Sequence, residues 1–264
     1  MASRVAEWPS SDDDLVDLQH ELAQEAEAIV TTNPWLLPAR PVVGGCFVAF
    51  ARGEAGPGSP GDRAWAAAVA WQADALTANR GRSVDRHLRG ATANGTPRRA
   101  DDVIAQAATA DRVPAAYTPG LLARREGPVL AKAVLALDPL PDVLLVDATG
   151  VDHPRRAGLA IHLGAVTGVA TVGVTQRPLR ATGPLPELRR GAMTPVRVDD
   201  RGAGFWVCTK TGARPVLAHA GWRTSPETAA ETVLAASTDE ARTPVPLQEA
   251  RRVAREARAF AGAG

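Results

Sequence analysis

The chain has 264 residues, 45% of them hydrophobic and 22% charged, with a formal net charge of +1 at pH 7. That is ordinary for a soluble globular protein with one large core or two small ones, and the near-neutral charge excludes nucleic-acid binding by bulk electrostatics alone. The two cysteines, Cys46 and Cys208, lie in apolar runs, so neither a disulfide framework nor a zinc spacing is present.

In chain order, SSDDDLVDLQHELAQEAEAIV predicts an amphipathic helix over residues 10 to 31. Ser10 or Ser11 caps it, acids fill its first turn, and Leu15, Leu18, Leu22 and Ala26 share one face. The first 30 residues are acidic and polar rather than basic and then apolar, and no run reaches the roughly 18 apolar residues of a membrane span, so the expectation is a cytoplasmic protein without membrane contact. PVVGGCFVAF and AWAAAVAW read as two strands joined by the turn-rich GEAGPGSPGD, and residues 73 to 99 lack any period and read as a flexible insertion. A third strand follows at 101 to 110.

Beyond it the period alternates. GPVLAKAVLAL is helical with Pro128 near its first turn, PDVLLVDATG is a buried strand ending in acid, RRAGLAIHLGAVTG is a helix and VATVGVT a strand. Two further strands, FWVCTK and RPVLAHA, precede helices starting near Pro226 and Pro246. The expected fold class is α/β, a mixed central sheet flanked by helices, in a single domain and as a monomer. Arginines cluster at 80 to 99 and at Arg177, Arg180, Arg189, Arg190 and Arg197, runs that are commonly solvated surface.

The chemistry concentrates in residues 117 to 180. Asp147 directly follows the apolar run VLLV, which casual surface placement explains poorly, whereas Glu126 near a helix start is unremarkable by itself. YTPGLLARREG, VDATGVDHPRR, AIHLG and VGVT occur in the order in which comparable segments occur in the endonuclease V family, and the chain resembles that family over most of residues 40 to 240 outside the insertion. GGCFVAF and RPVLAHAGWRTSPETA extend the likeness more weakly.

The resemblance implies a ribonuclease H-like fold and Mg²⁺- or Mn²⁺-dependent phosphodiester hydrolysis 3′ of deoxyinosine in DNA or inosine in RNA. It places Glu126 and Asp147 as metal ligands, with Asp152 as an auxiliary carboxylate, and His153 beside the attacking water or the phosphate. Tyr117, the only tyrosine, falls on a wedge that fills the hole left by an extruded base; its altered flanks, AAYTPG, put the stiffness of that wedge in question. Gly120, Leu122 and Gly150 fall around that base, Arg155 and Arg156 on the nucleic acid, and His162 is a packing or supporting residue.

Three positions depart from the family pattern. Phe47 stands where the first strand carries a metal-binding aspartate, Gln176 where a catalytic lysine follows the fifth strand, and Trp222 where a histidine precedes arginine. A phenyl ring offers no oxygen and an amide no charge. Losing one negative and one positive group together leaves the formal charge of the cavity unchanged, so the expectation is a stable fold that binds its cation weakly or not at all. Two alternatives stay open: a non-catalytic nucleic-acid binding or regulatory module, and an enzyme of different chemistry built on the same cavity.

Overall fold

The computed structural model describes residues 8–51, 58–73 and 102–261. Eight strands form one sheet: β1 (Val42–Phe50), β2 (Arg63–Gln72), β3 (Val103–Arg112), β4 (Val143–Val146), β5 (Ala170–Thr175), β6 (Met193–Val198), β7 (Arg201–Val207) and β8 (Val216–Ala220). Their spatial order is β3-β2-β1-β4-β5-β8-β7-β6, with β1, β4 and β5 parallel and the remaining pairs antiparallel. The mixed sheet expected from the sequence is therefore present, and most of the expected insertion, from residue 74 onward, lies outside the described residues.

Helices cover both faces. On one lie α2 (Leu122–Leu135) and α3 (Leu159–Thr167), with α1 (Asp12–Thr32) packed outside α3; on the other lie α4 (Pro226–Ala235) and α5 (Val245–Ala261). The central strands are apolar on both sides because both sides are buried. In β4, Leu144 and Val146 join the α2/α3 core while Val143 and Leu145 join the α4/α5 core. Ser11 is the cap of α1, its hydroxyl accepting from the Asp14 N–H at 3.1 Å.

Two boundaries differ from expectation. Helix α2 begins at Leu122, so Pro128 lies inside it and Glu126 falls in its second turn; the strong apolar run after Pro128 had hidden the first turn. Strand β6, MTPVRV, was not expected because proline and arginine interrupt its alternation. It is an edge strand, where a missing N–H can face solvent, and its turn to β7 uses Asp199 and Asp200 at φ 48° and 61°.

Candidate functional site

Alternation along β1 assigns its residues to two faces. Cys46 and Val48 enter the α2/α3 core, whereas Phe47 and Ala49 pack against Ala250, Val253 and Ala254 of α5. Gly45 shares the second face, and a Cβ there would come within 2.3 Å of the Pro246 backbone. Absence of a side chain at Gly45 thus lets α5 settle directly on β1. The parallel register pairs Cys46 with Val146, and continuing it by one residue sets Phe47 beside Asp147 at the end of β4.

That placement decides what stands above the two residues. Arg251, on the outer side of α5, donates from Nη2 to Asp147 Oδ2 at 2.9 Å, and its guanidinium lies 5.0 Å from the centre of the Phe47 ring. A charged donor to the carboxylate and a π-face beneath the cation reinforce each other. The pair is partly dry, with side-chain exposures of 30% for Arg251 and 40% for Asp147. Sequence reasoning missed Arg251; the only available signal was the run of arginines in RRVAREARAF.

Glu126 approaches from α2. Burial pushes its carboxyl up to about 7, opposed by Arg125 and reinforced by the negative charge of Asp147. The Cys46 thiol is likewise raised by burial and by both carboxylates. Glu126, Asp147 and Cys46 thus lie within electrostatic reach of one another, with Phe47 next to Cys46 on β1. Cys46 is a buried free thiol, as is Cys208.

The residues present do not fit a divalent-metal centre. Among the described residues, no three His, Cys, Asp or Glu side chains come together in a way that could hold a metal ion. Of the two carboxylates, one is engaged by a guanidinium, and the neighbouring strand position is hydrocarbon. Asp152 does not assist as the sequence suggested. It is fully buried, and its carboxylate accepts the backbone N–H groups of Leu179, Arg180 and Ala181 at 2.6–2.7 Å.

Glu126 carries a stability prediction. A carboxyl raised from an ordinary 4.5 to about 7 favours the folded state at low pH, and that contribution is lost as the pH climbs through the interval. At pH 8 the Glu126→Gln variant should therefore be more stable than the parent by roughly 1–3 kcal/mol. At pH 4.5 the two should converge. Denaturant melts at both pH values check this, and equal stability at pH 8 would contradict it.

His153, expected beside water or phosphate, is buried and engaged at both ring nitrogens. Nδ1 accepts the Arg155 N–H at 3.2 Å, which leaves Nε2 as the donor to the Gly120 carbonyl at 3.1 Å. Burial and the neighbouring Arg155 press its pKa down to about 4, so it is neutral at pH 7. The Gly120 carbonyl also accepts from Arg155 Nη2 at 2.8 Å and from Gln19 Nε2 of α1 at 3.2 Å, and Arg155 Nε donates to Gln19 Oε1 at 2.6 Å. Gln19, unnoticed in the sequence, ties α1 to this cluster. Arg156 is partly exposed at φ 57°.

Tyr117 stands 46% exposed on the loop between β3 and α2. The loop is pinned on both sides: Arg125 Nη1 donates to the Ala115 carbonyl at 2.7 Å, and the Gly120 carbonyl is held as described. Arg125 is itself buried, paired with Asp62 at 2.7 Å and stacked over Phe50 at 4.5 Å. The AAYTPG loop is thus held from outside at the Ala115 and Gly120 carbonyls. Leu122 packs against the α2/α3 core, and Gly150 allows the backbone past Ala220, whose oxygen would lie 2.1 Å from an added Cβ.

Gln176, exposed after β5, accepts from Arg242 Nη1 at 3.2 Å. Trp222 is buried among Leu22, Ala26, Ala157, Ile161 and Ala165, where it joins α1 to α3. His162 is a packing residue, stacked on Trp8 with ring centres 4.3 Å apart. Of the second arginine run, Arg190 donates to the Thr209 and Ser237 carbonyls and Arg180 pairs with Asp199 at 2.8 Å, so part of that run serves the fold.

Comparisons with known proteins agree with this architecture. The chain is 43% identical over 123 residues to endonuclease V of Roseiflexus castenholzii, a match covering 46% of this chain and 55% of the relative. It is 40% identical over 121 residues to that of Streptomyces coelicolor, covering 46% and 52%. The chain thus spans about half the length of the curated relatives it matches. A crystal structure of endonuclease V from Streptomyces avermitilis superposes with a TM-score of 0.75 at 29% identity, covering 99% of this chain and 100% of the other. The sheet and its helices have the ribonuclease H-like fold of these neighbours. Since the Endonuclease V family model also matches residues 85–252, the chain belongs to the endonuclease V family.

Proposed function

We propose that this protein recognises nucleic acid containing a deaminated purine, deoxyinosine in DNA or inosine in RNA, and that it cuts the strand weakly or not at all. The observation that carries the second half is the Phe47 ring beside Asp147, with Arg251 across both. A hard divalent cation requires several oxygen ligands, and this arrangement supplies hydrocarbon and a competing positive charge in their place. The first half is supported by family membership and by an exposed Tyr117 on a pinned loop, suited to replace an extruded base in the stack. Arg156 is the nearby cation for the backbone, while Arg155 acts by holding the Gly120 carbonyl.

The test uses inosine-containing DNA and RNA, single and double stranded, with Mg²⁺ or Mn²⁺, set against inosine-free controls. Inosine-dependent binding with slow or absent cleavage is expected, and Tyr117→Ala should weaken the preference by about 1–3 kcal/mol. Rapid cleavage abolished by Glu126→Ala would overturn the weakened-nuclease reading. A lack of inosine preference would overturn the recognition reading. Monomeric behaviour belongs to the same proposal and is checked by sedimentation.

A further inference from the structure

Arg251 does more than obstruct. Its charge occupies the place between Phe47 and Asp147, held by a 2.9 Å hydrogen bond and a 5.0 Å cation–π contact, on a helix seated through Gly45. Asp147 engages Nη2 and Nε is buried, so Nη1 is the group of this 30%-exposed side chain left to meet a ligand.

An open groove of about 560 Å³ runs along this side of α5, and its polar lining includes Arg242, Gln248, Arg251, Arg252, Arg255 and Glu256. The Glu249 and Glu256 carboxylates already engage Arg252, at 2.9 and 2.7 Å. Arg251 and Arg255 are one helical turn apart and so share a face. Arg242 is committed to the fold, donating from Nη1 to Gln176 at 3.2 Å and from Nη2 to the Pro215 carbonyl at 2.8 Å. Arg251 and Arg255, planar and permanently charged, suit anionic phosphodiester oxygens.

We propose that the Arg251 guanidinium is the fixed cation of this site, and that it binds nucleic-acid phosphodiesters without a divalent metal along the groove continued by Arg255. The ligand class rests on the nucleic-acid reading above; the exclusion of metal does not. Because the cation is covalently part of α5, chelation cannot remove it, and a divalent ion approaching Asp147 meets a like charge.

Two measurements test this separately. Binding of a fluorescent inosine-containing oligonucleotide to the full chain should agree within about twofold in EDTA and in Mg²⁺, and Arg255→Ala should lower the salt slope by about 0.9. Titration with Mn²⁺ alone, followed by its electron paramagnetic resonance signal, should reveal no saturable site in the wild type and one in the Phe47→Asp, Arg251→Gln double variant. Arg251→Lys, which keeps the charge and tests for misfolding, should remain free of Mn²⁺. Oligonucleotide binding that requires divalent ions, or saturable Mn²⁺ binding by the wild type, overturns the proposal. Failure to bind any oligonucleotide overturns the ligand assignment and the recognition reading, while the Mn²⁺ titration still decides whether Arg251 excludes the metal.

Discussion

Restoring Phe47→Asp together with Gln176→Lys is expected to leave metal-dependent cleavage of an inosine substrate within about threefold of the parent, whereas adding Arg251→Gln should raise it by about 100-fold or more. From sequence alone the two-site change looks sufficient, since it returns one negative and one positive group to the cavity. The structure adds a third participant. Arg251 takes a carboxylate oxygen of Asp147 at 2.9 Å, and an aspartate at position 47 would give it a second anionic partner. A unit charge 4 Å from a divalent ion at an effective dielectric constant near 20 is repelled by about 8 kcal/mol before solvent screening. Even a fraction of that outweighs the gain from one extra oxygen. Single-turnover cleavage assays with Mn²⁺ over the two-site and three-site variants make the comparison, and equal activities would show that Arg251 swings aside at no cost.

Asp152→Ala should be the most damaging single change among the polar residues, at about 3–5 kcal/mol. The carboxylate is fully buried and gathers three consecutive N–H groups from residues 179 to 181, with His219 Nδ1 at 3.8 Å. His219 Nε2 in turn meets Thr175 Oγ at 2.8 Å, so one anion holds the segment after β5 against β8. Its removal leaves three backbone donors without an acceptor, that of Ala181 buried and those of Leu179 and Arg180 partly so. For a chain of this size the melting temperature should drop by roughly 10 °C, with Asp152→Asn intermediate because one oxygen survives. A loss under 1 kcal/mol would mean that the segment rearranges freely.

The same region predicts an acid limb. Burial depresses His219 to about 4, as it does His153, so unfolding below the ordinary 6.5 takes up protons that the folded state refuses. Stability from these two groups is fully present above about 6.5 and falls as the pH drops toward 4. Glu126 acts in the opposite sense between 4.5 and 7, so the limb should be steepest in the Glu126→Gln background. Urea melts of parent and variant across that interval measure it, and a flat profile in the variant would contradict the assignment.

Much of this protein was legible locally. Short-range periodicity marks α1, the β1–β2 hairpin, and β4 and β5, because burial on one or both faces leaves its mark on neighbouring residues. Asp147 stands out as a carboxylate after four apolar residues, and the resemblance marks Phe47 as a hydrocarbon where the family carries an aspartate. Strand β6 escaped because an edge strand tolerates proline and arginine, and the first turn of α2 escaped behind Pro128.

What the sequence could not contain is the meeting of residues far apart in the chain. Arg251 lies 104 positions from Asp147, Gln19 lies 136 from Arg155, and His219 lies 67 from Asp152. No periodicity links such pairs; they meet because the sheet order and the seat of α5 on Gly45 bring them together. The resemblance read from the sequence placed Phe47 where the family carries an oxygen ligand and Gln176 where it carries a lysine. Only the tertiary structure decided that the place is taken by a guanidinium, because a charge is assigned to a cavity by the packing of the helix that carries it.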